Sequence, residues 1–259
     1  MKKQNNHIDP NAMIGKSTKI EPFSFIDKDV KIGDNCWIGN NVTIYSGARI
    51  GNNVKIFPGA VISSIPQDLK FGGENTTVQI GDNSTIREFV TISRGTTDKL
   101  TTKIGENCLI MAYSHLAHDC IVEDNCIIVN SVQIGGHVHI GEYAIIGGGT
   151  LVHQFSKIGA HSMIAGGSLV RKDVPPFCKA GKEPLSFRGV NSIGLKRRNY
   201  SNDQINHIQN IFRILYLEGR NNSQAIKKIE SDLEDSIEKK IVLEFFSESK
   251  RGIIKGLMD

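Results

Sequence analysis

The segment YSHLAHDC, residues 113–120, carries the side chains best suited to chemistry in this sequence: His115, His118 and Asp119. An imidazole takes up and releases protons near neutral pH, and a neighbouring carboxylate can orient it. Imidazoles are also zinc ligands and partners of catalytic nucleophiles. The segment alone does not distinguish a general base, a nucleophile's partner, a metal site and a solvated surface. The backbone that carries these residues therefore has to be established first.

A repeat of six residues predicts that backbone. Of the 28 positions taken in steps of six from Ile8 to Val170, 25 are Ile, Leu or Val. Small residues recur four positions after each aliphatic residue, and Asn or Gly recurs three positions after it, as tight turns require. This pattern predicts a parallel β-helix in which three hexapeptides form one triangular coil. The period of six gives no continuous stripe at 3.6 residues per turn, which excludes an α-helix.

Two polar stretches, 66–79 and 98–103, break the repeat, and we expect them to be loops. Beyond the repeat lies a linker with prolines, and then the pattern becomes helical, with an N-cap at Ser201. The sequence thus predicts an all-β solenoid over residues 1–185, followed by a C-terminal α-helical domain over residues 186–259. The expected apolar face of its first long helix consists of Ile205, Ile208, Phe212 and Leu215.

Composition excludes several classes of protein. The net charge of +4 over 259 residues gives no reason to expect nucleic-acid binding. The N-terminus, MKKQNNHIDP, lacks the apolar segment of a signal peptide, and no apolar run is long enough to span a membrane. Five cysteines without a CxxC pair indicate reduced thiols, and we expect a cytoplasmic protein.

The repeat assigns each candidate residue a position within a coil. His118 lies two positions after its aliphatic residue, and the equivalent positions in the next two coils are Gly136 and Gln154, beside His137 and His153. The histidines therefore form a column, which is either a site or a stack of solvated imidazoles. Zinc binding is the alternative chemistry, but Asp119 and the column offer no second clear ligand set.

Covalent catalysis by a thiol is not expected. Four cysteines occupy the small, inward position of the repeat: Cys36, Cys108, Cys120 and Cys126. Buried thiols pack and do not react, because a catalytic cysteine needs an exposed, electropositive setting. Cys178 lies in the linker, and we assign it no role. His118 thus has no nucleophile to activate and would have to act on a substrate.

Five motifs in order resemble the UDP-N-acetylglucosamine O-acyltransferase family, which opens lipid A synthesis. They are QDLKF (67–71), AHDC (117–120), GGHV (135–138), VHQF (152–155) and GVNSIGLKRR (189–198). The resemblance covers practically the whole chain. It implies a left-handed coil and a homotrimer with the cleft between neighbouring solenoids. It also implies transfer of an (R)-3-hydroxyacyl group from acyl carrier protein to the sugar 3-hydroxyl of UDP-N-acetylglucosamine, with no covalent acyl-enzyme, no cofactor and no metal.

The same resemblance implies roles for individual residues. His118 is the general base, Asp119 orients it, and the backbone N–H of Gly136 is the oxyanion donor. Contacts to the substrate are implied for Asp68, Lys70, His115, His137, His153 and Gln154. Contacts around the uridine diphosphate are implied for Asn191, Arg197 and Arg198, since guanidinium groups suit phosphate oxygens.

Two departures from the family's pattern concern the nucleotide end. Ile193 stands where the family often has an acidic residue, and the stretch before Asn191 reads GKEPLSFRGVN. A third position concerns the acyl chain. Gly166 matches the family's stop for the hydrocarbon tail, and a glycine there leaves the groove open. This resemblance predicts a donor of about fourteen carbons or more, each buried methylene adding about 0.8 kcal/mol. The alternative is that Gly166 is an ordinary corner glycine.

Two other classes of protein stay open from the sequence. The related N-acyltransferase of the same pathway carries a separate N-terminal uridine-binding domain, and the repeat that starts at Ile8 leaves no room for it here. A non-catalytic, antifreeze-like solenoid should have flat, Thr-rich faces and no histidine column.

Overall fold

The computed structural model describes residues 5–256, in which each hexapeptide forms a short strand and a corner. Strands in successive coils pair in parallel and in register, as in the pairs His115–Gln133 and Leu116–Ile134. Three sheets result, and they form the sides of a triangular prism. The solenoid is a left-handed parallel β-helix followed by helices, as the sequence predicted.

The strands are β1 (His7–Ile8), β2 (Met13–Ile14), β3 (Lys19–Ile20), β4 (Phe25–Ile26), β5 (Lys31–Ile32), β6 (Trp37–Ile38), β7 (Thr43–Ile44), β8 (Ala48–Ile50), β9 (Lys55–Ile56), β10 (Val61–Ser64), β11 (Thr77–Ile80), β12 (Thr85–Ile86), β13 (Thr91–Ser93), β14 (Thr101–Ile104), β15 (Leu109–Ile110), β16 (His115–Leu116), β17 (Ile121–Val122), β18 (Ile127–Ile128), β19 (Gln133–Ile134), β20 (His139–Ile140), β21 (Ile145–Ile146), β22 (Leu151–Val152), β23 (Lys157–Ile158), β24 (Met163–Ile164), β25 (Leu169–Val170), β26 (Cys178–Gly181) and β27 (Ser186–Val190).

Sheet A is β1-β4-β7-β10-β13-β16-β19-β22-β25, and sheet B is β2-β5-β8-β11-β14-β17-β20-β23. Sheet C is β3-β6-β9-β12-β15-β18-β21-β24-β26-β27. We call the residues that connect a strand of sheet A to the next strand, in sheet B, the A–B corner. The B–C corner and the C–A corner are defined in the same way.

The interior of the prism is filled by the two columns that the repeat predicted. From Ile26 onward the aliphatic residue of each described hexapeptide is almost completely buried, and each such side chain contributes about 1.5–3 kcal/mol by leaving water. The inward cysteines are buried free thiols, and burial raises the pKa of Cys120 to about 12. These thiols are packing residues in the fold.

The corners depend on one residue with a left-handed backbone. The third residue after the aliphatic one has a positive φ in most coils, for example 55° at Asn53, 60° at Asp119 and 61° at His137. Asn and Asp adopt this conformation at little cost because their short polar side chains bond locally. The sequence rule that placed turn residues three positions after the aliphatic is therefore confirmed.

Both interruptions of the repeat begin and end earlier in the chain than the sequence indicated. Strand β11 begins at Thr77 and β14 begins at Thr101, and these two strands pair over four residues. The loops therefore comprise residues 65–76 and 94–100, not 66–79 and 98–103. The error arose because threonines pair well in a ladder without belonging to the aliphatic column.

The chain after the repeat continues sheet C before it becomes helical. Strands β26 and β27 pair antiparallel, so β27 belongs to the sheet although the sequence had placed it in the helical domain. Helices α1 (Ser192–Arg197), α2 (Asn202–Tyr216), α3 (Asn222–Asp232) and α4 (Ile237–Glu248) follow. Ser201 caps α2 in a capping box, and the predicted apolar face of α2 is buried. Within residues 5–256, no helix combines the length and apolarity needed to cross a membrane.

Candidate active site

The A–B corner is where the candidate residues collect. Strands β10, β13, β16, β19 and β22 are neighbours in sheet A, so the corners that follow them lie one above another. Strand stacking places successive corners about 4.7–4.9 Å apart. In order along the axis, these corners are loop 65–76, loop 94–100, residues 117–120, residues 135–138 and residues 153–156. Both loops and the histidine column thus share one edge of the prism.

His118 and Asp119 form the central pair of this edge. The His118 Nδ1 atom lies 2.9 Å from Oδ2 of Asp119. The side chain of His118 is 12% exposed and that of Asp119 is completely buried. An ionised carboxylate can only accept a hydrogen bond, so in the neutral imidazole the proton resides on Nδ1 and the lone pair is on Nε2. The arrangement suits a base that works through Nε2.

The electrostatic state of Asp119 is set by burial and by hydrogen bonds. Burial raises the pKa of Asp119, but hydrogen bonds from the Thr96 hydroxyl, from His118 and from backbone N–H groups outweigh it, and the net pKa is lowered. Asp119 is therefore a carboxylate at neutral pH. Its bond to His118 is charge-assisted, which makes it stronger than a bond between neutral groups.

Gly136 lies directly against the imidazole ring of His118. A Cβ atom placed on Gly136 would lie 2.8 Å from Cε1 and Nε2 of the imidazole, well inside van der Waals contact. No described residue accepts a hydrogen bond from the Gly136 N–H. In the B–C corner, by contrast, carboxylate or amide oxygens cap the equivalent N–H groups, as Asp124 does for Glu106 at 2.8 Å. Gly136 thus presents a buried but uncommitted donor beside the imidazole.

The other histidines of the column differ in their surroundings. His137 meets the edge of the His118 ring at 5.0 Å between centroids and stacks on Phe155 at 4.4 Å. His115 shares a hydrogen bond of 2.7 Å with the Thr91 hydroxyl, and burial, followed by the proximity of His118, lowers its pKa. The His137 Nδ1 atom lies 3.0 Å from Asp98 Oδ2, but the orientation is not that of a hydrogen bond.

His153 and Gln154 lie at the open end of the column. Both side chains are exposed. The Nδ1 atom of His153 lies 3.0 Å from its neighbour's carbonyl oxygen. Asp68 and Lys70 lie in loop 65–76, where the Lys70 N–H donates to Asp68 Oδ1 at 3.0 Å. These four residues share the A–B corner with His118, but the chain alone makes no contact between them and His118.

A metal site is the alternative that the sequence left open at this corner, although it gave no second clear ligand set there. Ligand atoms of His118, Asp119 and His137 all lie within 4.8 Å of one another. The sequence placed histidines of adjacent coils near one another, but it could not show that Nε2 of His137 lies 3.9 Å from Oδ2 of Asp119. However, the Asp119 oxygens already accept hydrogen bonds from Thr96, Lys99 and His118, and a metal would have to displace some of these donors.

The predicted nucleotide residues lie at a different corner. Arg198 donates to the Tyr143 carbonyl at 2.9 Å and lies over the Tyr143 ring, which follows β20 in the B–C corner. Asn191 is buried, where its amide donates to the His161 carbonyl at 2.9 Å and caps α1. Arg197 is exposed. In one chain these residues are therefore on another edge of the prism from His118, and the Asn191 amide is committed to the fold.

Gly166 lies at the third corner. It follows β24 in the C–A corner, where Gly148 occupies the same position one coil earlier. A Cβ atom on Gly166 would lie 3.0 Å from the Gly148 carbonyl oxygen, whereas Cβ atoms on Gly149 and Gly167 would meet no atom within 4 Å. In these two coils the corner therefore exposes backbone without side chains. No single chain brings Gly166, Arg198 and His118 to one edge.

Sequence reasoning missed two contributors to the A–B corner. Loop 94–100 folds back onto Asp119 through Thr96 and Lys99. The segment after α4 also returns to this edge, where Lys250 and Arg251 line a groove with His137 and Phe155. The six-residue period contains no signal for either, because both segments lie outside the repeat.

Comparisons with known proteins agree with the fold. The family model described as Udp N-acetylglucosamine O-acyltransferase, Domain 2, matches residues 173–254. The model of bacterial transferase hexapeptide repeats matches residues 29–64 and 101–136. The acyl-(acyl-carrier-protein)–UDP-N-acetylglucosamine O-acyltransferase of Thiobacillus denitrificans is 39% identical over 195 residues, which are 75% of this chain and 76% of that protein.

Solved structures of similar proteins extend the likeness to the whole chain. A UDP-N-acetylglucosamine acyltransferase from Bacteroides fragilis superposes with a TM-score of 0.96 and 47% identity, covering 98% of this chain and 100% of that one. The enzyme from Francisella novicida gives a TM-score of 0.94 and 36% identity, covering 97% of this chain and 92% of that one. This chain therefore belongs to the UDP-N-acetylglucosamine O-acyltransferase family and is an acyltransferase.

Proposed function

We propose that this protein transfers an (R)-3-hydroxyacyl group from acyl carrier protein to the 3-hydroxyl of UDP-N-acetylglucosamine, the first step of lipid A synthesis. The relatives' names supply the substrates. The observation that carries the mechanism is the His118–Asp119 pair, in which Nδ1 is engaged at 2.9 Å and Nε2 is left to accept a proton.

The reaction then proceeds by direct attack. Nε2 of His118 removes the proton of the sugar 3-hydroxyl as its oxygen attacks the thioester carbonyl carbon. The C–O bond forms and the tetrahedral intermediate carries the negative charge on the former carbonyl oxygen. When the C–S bond breaks, the imidazolium returns its proton to the departing sulfur, which leaves as the thiol of the carrier protein.

Two neighbours support this cycle. Asp119 keeps the proton on Nδ1 and stabilises the imidazolium that forms transiently. The uncommitted N–H of Gly136, beside the ring, is the proposed oxyanion donor.

Direct attack is favoured over a covalent acyl-enzyme because no thiol is suitably placed. All five cysteines are buried, and the inward ones form part of the core. A catalytic thiol has to be reachable and held as a thiolate, and burial works against both.

The proposed assembly is a homotrimer, and the arrangement of the corners supports sites that are shared between copies. The sugar contacts we propose are Asp68, Lys70, His115, His137, His153 and Gln154, all at the A–B corner or the adjoining edge of sheet A. Arg197 and Arg198, the proposed phosphate ligands, follow β27 beside the B–C corner, and Gly166 is at the C–A corner. One cleft includes all three sets only if a second copy supplies the arginines or the glycine.

Replacement of His118 by Ala tests the mechanism. We expect turnover to fall by roughly 10²–10⁴-fold, with secondary structure and oligomer size unchanged. Mass spectrometry of the product formed from UDP-N-acetylglucosamine and a mixture of acyl carrier protein thioesters identifies the reaction itself. A loss of less than about fivefold would remove His118 from the role of base.

The zinc alternative has its own measurement, since His118, Asp119 and His137 could together hold an ion. Stoichiometric zinc in the purified protein, with activity that disappears on chelation and returns on adding zinc, would favour a metal-activated hydroxyl. We expect full activity after exhaustive chelation.

A further inference from the structure

Loop 94–100 packs against the A–B corner through a tight turn and several hydrogen bonds. Within the loop, the Leu100 N–H donates to the Thr96 carbonyl at 2.8 Å. Gly95 allows this close turn, because a Cβ there would overlap the backbone nitrogen of Thr101. The side chain of Lys99 donates to the Asp119 carbonyl at 3.1 Å. These contacts hold the loop against the corner.

Three of the four hydrogen bonds to the Asp119 carboxylate come from this loop. The Thr96 N–H and the Lys99 N–H donate to Oδ1 at 3.0 and 3.2 Å. The Thr96 hydroxyl donates to Oδ2 at 2.6 Å, the same oxygen that accepts from His118 Nδ1. A completely buried carboxylate needs such donors, because an uncompensated charge in the interior is costly.

The direction of the Thr96 hydroxyl is also set. The Asp98 N–H points to its oxygen at 3.4 Å, so the hydroxyl proton is directed to Asp119. Thr96 itself is only 7% exposed, which keeps water from replacing it. The chain of contacts thus runs from Thr96 through Asp119 Oδ2 to the imidazole of His118.

We propose that Thr96 is a positioning residue for the acyl transfer: its hydroxyl fixes Asp119 Oδ2, which in turn holds the His118 ring with Nε2 aimed at the acceptor. This inference rests on the proposed function of His118. Because Thr96 is almost completely buried and its hydroxyl is bonded to Asp119, we expect its replacement to lower turnover and not to weaken substrate binding. The two backbone N–H donors stay in place when the hydroxyl is removed, so the carboxylate and the loop persist.

The experiment compares Thr96→Val, which removes the hydroxyl at constant shape, with Thr96→Ser, which keeps it. We expect kcat to fall about 10- to 100-fold in Thr96→Val, the effect of losing one hydrogen bond to a charged group. The KM for the nucleotide sugar should stay within about twofold of the wild type, and Thr96→Ser should recover most of kcat. Thr101→Val is the control. Thr101 follows the loop as the first residue of β14, and its hydroxyl is bonded to Thr77 on the outer face of sheet B.

A double variant separates positioning from a merely structural role. If Thr96 acts through His118, then adding Thr96→Val to His118→Ala causes no further loss of kcat. A further loss of the same size as in the single variant would overturn the inference, and so would wild-type turnover in Thr96→Val while His118→Ala is inactive. An active His118→Ala variant, by contrast, would refute the proposed function itself. Should Thr96→Val unfold, Thr96→Ala takes its place with the same expected results.

Discussion

A methyl group on Gly136 should disable the site without unfolding the protein. The added Cβ would lie 2.8 Å from Cε1 and Nε2 of His118 and 3.3 Å from Nδ1. Carbon contacts are favourable at about 3.5–4.0 Å, so the ring has to move by about 1 Å or turn away from Asp119. A displacement of this size in catalytic geometry costs on the order of 100-fold in rate. We therefore expect kcat of Gly136→Ala to fall about 100-fold.

The fold should tolerate this change because the obstacle is a side chain and not the backbone. The φ of Gly136 is not in the left-handed region, so Ala fits its backbone. Gly39→Ala is the control, since Gly39 follows β6 at the C–A corner, several coils from His118, and its Cβ would meet the Pro58 ring at 3.0 Å. Steady-state kinetics with saturating acyl carrier protein thioester and thermal unfolding are measured for both variants. Wild-type turnover in Gly136→Ala would refute the inferred contact, and so would an equal loss in Gly39→Ala.

Three further outcomes are expected. Arg197→Ala should mainly raise the KM for the nucleotide sugar, because phosphate is bound equally in ground and transition states, and a pure kcat defect would contradict this role. Arg198→Ala should raise the same KM and also lower the stability of the protein, since Arg198 packs on Tyr143. Gly166→Met should shift the donor preference to shorter acyl chains in competition assays, with melting temperature measured because its Cβ is tight against Gly148; an unchanged preference would place the stop elsewhere. Burial, and then the proximity of Arg198, lowers the pKa of His161 to about 4. The native state therefore binds fewer protons than the unfolded state below pH 6.5, and up to about 3 kcal/mol of stability is lost as pH falls from 6.5 towards 4. Denaturant melts should show a smaller loss in His161→Phe, and an equal loss in that variant would refute the reasoning.

The solenoid could be predicted from the sequence because its stabilising rule is local. An aliphatic residue every sixth position, with a small residue four later, leaves little freedom for the backbone. The limits of the loops at Thr77 and Thr101 could not be predicted, since these threonines extend strands by pairing with each other across coils. A pattern of single-residue types does not contain such a pairing.

The candidate site was predictable in part for the same reason. The repeat predicted the position of His118 within its coil and its register with Gly136 in the next coil. The structure places the imidazole over that glycine. It could not reveal that Thr96 donates to Asp119, because the contact depends on how a loop outside the period folds back. Nor could it reveal that the Asn191 amide is buried beneath α1, which depends on how the helical segment docks on the solenoid.

The regular stacking of coils has a consequence for the substrate's length. His118 and Gly166 are 48 residues apart in the sequence, which corresponds to about 2.7 coils and an axial separation of roughly 13 Å. An extended chain advances roughly 1.2 Å per bond, so this height corresponds to about eleven bonds before any sideways offset between corners is added. Because the coil is the unit of axial distance, moving the end of such a groove by one coil changes the accommodated chain by about four carbons. Chain-length preference in this fold should therefore vary between relatives in coarse steps when the blocking residue moves from one coil to the next, and in finer steps only through the size of the side chain within a coil.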